Sequence, residues 1–109
     1  MYKVYRSVSK GWNTLSKREL IAECELLSEA MDYPTDYISE RFKGMRIEES
    51  CFAGRQQLAF FDYNDRFVGA IYYDLKFNVN KITGERFLLV TISDRVDAVL
   101  YYIQEVNNE

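Results

Sequence analysis

The chain has 109 residues, a formal net charge of −3 and no histidine. This length suits one domain with a single hydrophobic core, which we place at residues 1–109. Without histidine the chain cannot use Ser-His-Asp or Cys-His catalysis and lacks the usual ligands of a zinc hydrolase. We therefore expect no bound metal. The negative net charge disfavours a nucleic-acid clamp, so we expect no bound nucleic acid either.

The sequence also indicates the cellular compartment of the protein. No run approaches the roughly 18 apolar residues that a membrane helix needs, and residues 1–6 lack the apolar region of a signal peptide. We therefore expect a cytoplasmic protein without a membrane segment. In a reducing cytoplasm Cys24 and Cys51 are predicted to be free thiols.

The N-terminal segment is predicted to be a strand over residues 2–8, because Val4 and Val8 alternate with polar and basic residues. A connection over residues 9–14 follows and contains Trp12, the only tryptophan. We interpret Trp12 as a lid over the core, and a binding anchor is the alternative.

A first helix is predicted over residues 17–31. Ser16 and Glu19 have the spacing of a capping box, in which each side chain satisfies a backbone N–H at the start of a helix. Cys24 and Leu27 belong to an apolar stripe at helical spacing that would pack on a sheet. Leu27 is therefore expected in the core.

The only proline, Pro34, is predicted to separate this helix from a second, shorter one. Thr35 or Asp36 would begin the second helix, and Gly44 would end it. Residues 45–56 show no regular period and are predicted to be a loop.

An antiparallel meander is predicted over residues 57–93, where apolar runs rich in Phe, Tyr, Val and Ile alternate with turn residues. Its three strands are assigned to residues 58–61, 67–73 and 87–92. Its two turns are assigned to residues 63–66 and 78–85. Leu89 in the third strand is expected to be buried.

The last element is predicted to be a helix over residues 95–106, capped by Ser93 or Asp94. Val99 and Ile103 lie on its apolar face. Residues 107–109 are predicted to be a fraying polar tail.

The resulting order is strand, helix, helix, three-stranded meander, helix, which is an α+β fold. This order resembles a shortened domain of the GNAT N-acetyltransferase superfamily, and residues 58–72 look like the second hairpin of that family. The family holds the pyrophosphate of acetyl-CoA in a glycine-rich loop before a helix. Residues 92–99 contain no glycine there and place Asp94 and Asp97 where the pyrophosphate would lie. We therefore expect no cofactor and no catalytic residues.

Shortened chains of this layout are similar to head-assembly proteins of short-tailed phages. The resemblance implies a non-catalytic role in phage head assembly or DNA ejection, through protein contacts in the host cytoplasm or the virion. Nine Tyr and seven Phe agree with a protein that forms interfaces. The alternatives are an N-acetyltransferase with an atypical acetyl-CoA site and a small inhibitor of a host enzyme.

The partner surface is predicted at the strand over residues 86–93. In the full-length family a further strand lies beyond it, so here its edge is expected to be open unless the last helix covers it. A second copy or a partner segment would add to this edge by β-augmentation. The candidate partner-binding residues are Phe87, Leu89, Thr91 and Ser93.

Overall fold

The structure, a computed structural model, describes residues 1–11 and 14–106, without the side chain of Phe52. Trp12 and the tail at residues 107–109 lie outside the described residues. The elements are β1 (Tyr2–Lys10), β2 (Glu19–Cys24), α1 (Leu27–Arg41), β3 (Arg46–Phe52), β4 (Arg55–Phe61), β5 (Phe67–Val79), β6 (Arg86–Ser93) and β7 (Asp97–Glu105).

The seven strands form one antiparallel sheet in the order β2-β1-β7-β6-β5-β4-β3. β3 to β7 follow one another as neighbours in a long meander. The register of β1 and β7 runs from Tyr2 opposite Glu105 to Lys10 opposite Asp97, so β1 pairs along its whole length. The first and last strands therefore lie side by side.

The predicted α+β class with a GNAT-like order is wrong. The described residues form one antiparallel sheet with one helix, whereas the prediction had three helices and a smaller sheet. The meander itself is confirmed, because β4 pairs with β5 and β5 pairs with β6.

The hydrophobic core lies between α1 and one face of the sheet. We call this the helix face and the opposite side the open face. Alternate residues of β6 lie under the helix, and Val90 and Ile92 have at most 1% of their surface exposed. The same core contains Ala30 and Ile38 of α1, Phe60 of β4 and Ile103 of β7.

The predicted helix over residues 17–31 is wrong, because residues 19–24 form β2. The Ser16 hydroxyl accepts a hydrogen bond from the Val8 N–H at 2.8 Å and so supports β1 instead of capping a helix. α1 begins at Leu27, where the Glu29 carboxylate accepts a hydrogen bond from the Leu26 N–H at 3.1 Å.

The two predicted helices around Pro34 are one helix. Pro34 lies inside α1 and is fully buried. Proline lacks an N–H and weakens a helix interior, but its buried ring contributes apolar surface to the core. Leu27 is 38% exposed and Leu89 is half-buried on the open face, so neither is the core residue that we expected.

The predicted loop over residues 45–56 is also wrong, because it contains β3 and the start of β4. Ala53 and Gly54 have φ angles of 53° and 77°, and Phe52 pairs with Arg55. Two central residues with positive φ form the tight hairpin turn that fits the twist of two strands.

The predicted last helix is β7. Val99, Tyr101 and Ile103 face the helix, whereas Leu100 and Tyr102 face the open side. A strand that is apolar on both faces has no alternation and is easily interpreted as a buried helix.

Candidate interaction surface

The predicted open edge does not exist at β6. This strand is paired with β5 along one side and with β7 along the other. The partner strand β7 comes from the segment that was predicted to be a helix. Association by β-augmentation at β6 is therefore excluded.

The four predicted partner-binding residues, Phe87, Leu89, Thr91 and Ser93, form a half-buried row on the open face. The guanidinium carbon of Arg18 covers one end of the row, 3.7 Å from the ring centre of Tyr102 and 5.6 Å from that of Phe87. The role of the four β6 residues in binding a partner stays a prediction. They lie on a face of the sheet and not at its edge.

The edges of the sheet are β2 and β3. β3 carries Arg46, Glu48 and Glu49, and Arg46 forms ion pairs with Glu48 and Asp65. The pairing of β1 with β2 is interrupted by an irregularity after Val4. Charges and bulges at edges hinder the addition of another strand, so neither edge is an obvious template.

The segment expected to meet a pyrophosphate is a hairpin turn between β6 and β7. The Asp94 carboxylate accepts hydrogen bonds from the Asp97 N–H at 2.7 Å and from the Val96 N–H at 2.8 Å, and it pairs with Arg41 at 3.0 Å. These contacts, the Asp97 N–H first, lower the pKa of Asp94, whereas partial burial opposes them. The backbone donors that could hold an anion are thus occupied by the chain itself.

Three exposed apolar side chains lie on the helix face along the second half of β5. We call Leu75, Phe77 and Val79 the β5 stripe, and their exposed fractions are 52%, 79% and 58%. Leu75 is opposite Val90, and Phe77 is opposite Leu88. Opposite residues of antiparallel strands share a face, so the stripe continues the core beyond the cover of α1.

A mainly apolar groove of about 360 Å³ lies between the β5 stripe and the start of α1. Its lining includes Phe77 and Val79 on one side and Leu27 and Tyr2 on the other. Leu26 is 60% exposed just before α1, and Ile82 is 96% exposed in the loop between β5 and β6. The same end of the molecule therefore presents six large apolar side chains to solvent: Leu26, Leu27, Leu75, Phe77, Val79 and Ile82.

The β5 stripe was not predicted, because the second meander strand was expected to end at Tyr73. β5 continues to Val79, with Leu75, Phe77 and Val79 alternating with polar residues. This alternation is the signal of a strand with one apolar face, and it could have revealed the stripe.

Comparisons of the chain with protein-family models, with curated proteins and with solved structures found no match. Membership of the GNAT superfamily and likeness to phage head-assembly proteins stay predictions, and the element order that suggested them is not the one observed. Within residues 1–11 and 14–106, no helix has both the length and the apolar character to cross a membrane. Nor do these residues bring together three acidic, cysteine or histidine side chains that could hold a metal ion.

Proposed function

We propose that this chain acts without catalysis, as an interaction protein that associates with a second copy of itself through the β5 stripe. The observation that carries the proposal is the 79% exposure of Phe77 at the centre of an apolar row that continues the core. Burying a large apolar side chain contributes about 1.5–3 kcal/mol. A row of three beside an apolar groove therefore favours association.

The width of the sheet explains why the stripe is uncovered. Seven strands spaced by about 4.8 Å span about 30 Å, whereas one helix with its side chains is about 10 Å wide. α1 contacts β1 and β2 and covers the buried residues of β7 and β6, but it does not extend over the second half of β5. A second layer is needed there, and the described residues do not supply it.

The exposed apolar area is a substantial part of what a dimer needs. The six side chains are between 38% and 96% exposed. At on the order of 100 Å² for a fully exposed Leu, Val, Ile or Phe, they present about 400 Å². A standard interface buries about 800 Å² on each partner, so the apolar surface at this end of the molecule forms about half of one side of such an interface.

The charges around the stripe favour a second copy as the occupant. On the exposed β5–β6 hairpin the two cations Lys81 and Arg86 outnumber the one carboxylate, Glu85. The exposed charges around the start of α1 are all acidic: Glu25, Glu29 and Asp32. In a two-fold dimer every contact occurs twice, so if the hairpin of one copy meets the helix start of the other, the reverse contact also forms. The basic hairpin of one copy would then lie against the acidic helix start of the other, which gives complementary charges on both sides of the axis.

Analytical ultracentrifugation over a range of concentrations tests this proposal. We expect the wild-type chain to dimerise and Phe77→Asp to weaken dimerisation by about 100-fold, as at an interface hot spot. Tyr63→Asp is the matched control, because Tyr63 is an aromatic residue that is 91% exposed in the turn between β4 and β5, away from the β5 stripe. It should dimerise like the wild type, and circular dichroism should show that both variants are folded.

A charge exchange sharpens the same test. Lys81→Glu should weaken the dimer, and adding Glu25→Lys should restore it, because the attractive pair is rebuilt with reversed signs. A wild-type chain that stays monomeric at all concentrations would overturn the proposal. So would a dimer that is unaffected by Phe77→Asp.

The proposed biological setting rests only on the resemblance to head-assembly proteins of short-tailed phages. A role in head assembly or DNA ejection predicts that the gene lies among genes for virion proteins. A gene that lies elsewhere, together with a host enzyme that binds the purified chain at one-to-one stoichiometry, would instead favour the inhibitor.

A further inference from the structure

Arg6 is a partly buried cation on the helix face of β1. Its guanidinium carbon is 5.6 Å from the ring centre of Tyr37 on α1 and 5.9 Å from that of Tyr101 on β7. The faces of both rings attract a positive charge. These two rings therefore hold the guanidinium between the helix and the sheet.

No acidic group in the described part of the chain forms an ion pair with Arg6. Among the described residues the Arg6 side chain forms no ion pair or hydrogen bond, and its Nε is buried without a partner. Glu19 is opposite Arg6 in the register of β1 and β2 but lies outside ion-pair distance. A buried polar group without a partner is rare and calls for a physical explanation.

Arg6 lines a groove of about 330 Å³ between α1, β1 and β7. Among the described residues that line it, Lys10 and Arg41 are the other cations and Asp97 is the only carboxylate. Arg41 is paired with Asp94, and Asp97 accepts a hydrogen bond from the Gly11 N–H at 3.1 Å. Lys10 is exposed and, within the described residues, has no ion pair. The groove thus has an excess of positive charge on a chain whose net charge is −3.

We propose that this groove binds a small oxyanion, a carboxylate or a phosphate, which is held by Arg6 and Lys10. Folding has already removed part of the water from the Arg6 guanidinium, so an arriving anion meets a charge that is partly desolvated and fixed in place. The planar guanidinium matches the geometry of both oxyanions. The apolar walls formed by Val8 and Val99 suit a ligand with a short carbon chain.

The test is a titration followed by amide NMR signals at constant ionic strength, with inorganic phosphate in one arm and succinate in the other. We expect saturable movement of the signals of Ala98 and Val99 in at least one arm, with a Kd of about 1 mM or tighter. The arm that responds more strongly shows whether the groove prefers phosphate or carboxylate.

Substitutions of the groove residues test whether the movement of the NMR signals comes from binding in the groove. Arg6→Gln should weaken binding about tenfold or more, and Lys10→Gln should weaken it less. Arg66→Gln is the matched control, because the Arg66 side chain is exposed in a turn and has no ion pair among the described residues. If Arg6→Gln does not fold, Arg6→Lys replaces it and should bind more weakly because it loses the planar fork. No saturable response in either arm, or equal responses of the wild type and both groove variants, would overturn the proposal.

Discussion

The two halves of β5 carry similar side chains on the same face of the sheet, but their surroundings are opposite. Ile71 has 2% of its surface exposed, whereas Phe77, six residues further along the same strand, has 79% exposed. Ile71 lies opposite Leu58 in the covered part of the sheet, close to the stacked rings of Phe42 and Phe60. Phe77 lies beyond the start of α1, opposite Leu88.

This difference shows that coverage by α1, and not residue type, decides what is buried. The alternation of β5 specifies an apolar face along its whole length, but residues 1–11 and 14–106 supply one helix for a sheet of seven strands. The covered half stabilises the monomer. The uncovered half keeps its apolar surface available for association.

The largest effect that separates the two halves is expected at Ile71. Ile71→Ala removes a fully enclosed side chain and leaves a cavity, so the free energy of unfolding should fall by about 2–5 kcal/mol. Urea denaturation measures this change. A loss below about 1 kcal/mol would mean that the covered half of β5 is not packed as described.

A smaller effect is expected at the turn after β6, near the covered half. Asp94→Ala removes three hydrogen bonds to a carboxylate and should lower the free energy of unfolding by about 1–3 kcal/mol. The pKa of Asp94 is lowered in the folded chain, so its contribution is present above the unfolded pKa of about 4 and is lost as the pH falls through the lower folded pKa.

The check is denaturation of the wild type and of Asp94→Asn between neutral pH and acid pH. The stability difference between the two should shrink as the pH falls below about 4. A difference that stays constant over this range would show that the charge of Asp94 is not what stabilises the turn.

The smallest effect on the monomer is expected at Phe77. At concentrations too low for dimers, Phe77→Ala should change the free energy of unfolding by no more than about 0.5 kcal/mol, as at other exposed sites. At high concentration the same variant should be clearly less stable than the wild type, because dimerisation stabilises only the chain that can dimerise. A loss at low concentration as large as that of Ile71→Ala would place Phe77 inside the monomer core.

The sequence predicted the parts of the fold that depend on local signals. β1 follows from alternation, and the β4–β5–β6 meander follows from apolar runs between turns. In the first turn Asp62 accepts hydrogen bonds from the N–H groups of Asn64 and Arg66. Such turn residues specify the chain reversal by their own hydrogen bonds, so they can be recognised without a structure.

The elements that were wrong depend on distant partners. β7 is a strand because it pairs with β1 and β6. The spacing of Val96, Val99 and Ile103 alone also fits a helix. The capping pair of Ser16 and Glu19 was misleading because Ser16 is hydrogen-bonded to β1. β3 has Glu49 between Ile47 and Cys51 on one face, so it gave no clear apolar period to detect.

The alternation of the β5 stripe could be read from the sequence, but the exposure of the stripe could not be predicted, because it too depends on distant partners. The expected open edge depended on the last segment being a helix, and pairing with β7 removed it. The exposure of the β5 stripe depends on where α1 begins and on which strands it covers. Neither property is a feature of the residues in the stripe.

The most direct test of the account is NMR on a mixture of isotope-labelled and unlabelled chains, in which nuclear Overhauser effects between copies can be selected. We expect such contacts from the Phe77 ring and the Leu75 methyl groups of one copy to the other copy. Leu89 and Thr91 on the open face should show none. Contacts between copies only from Leu89 and Thr91, with none from Phe77, would contradict the account and assign association to the open face.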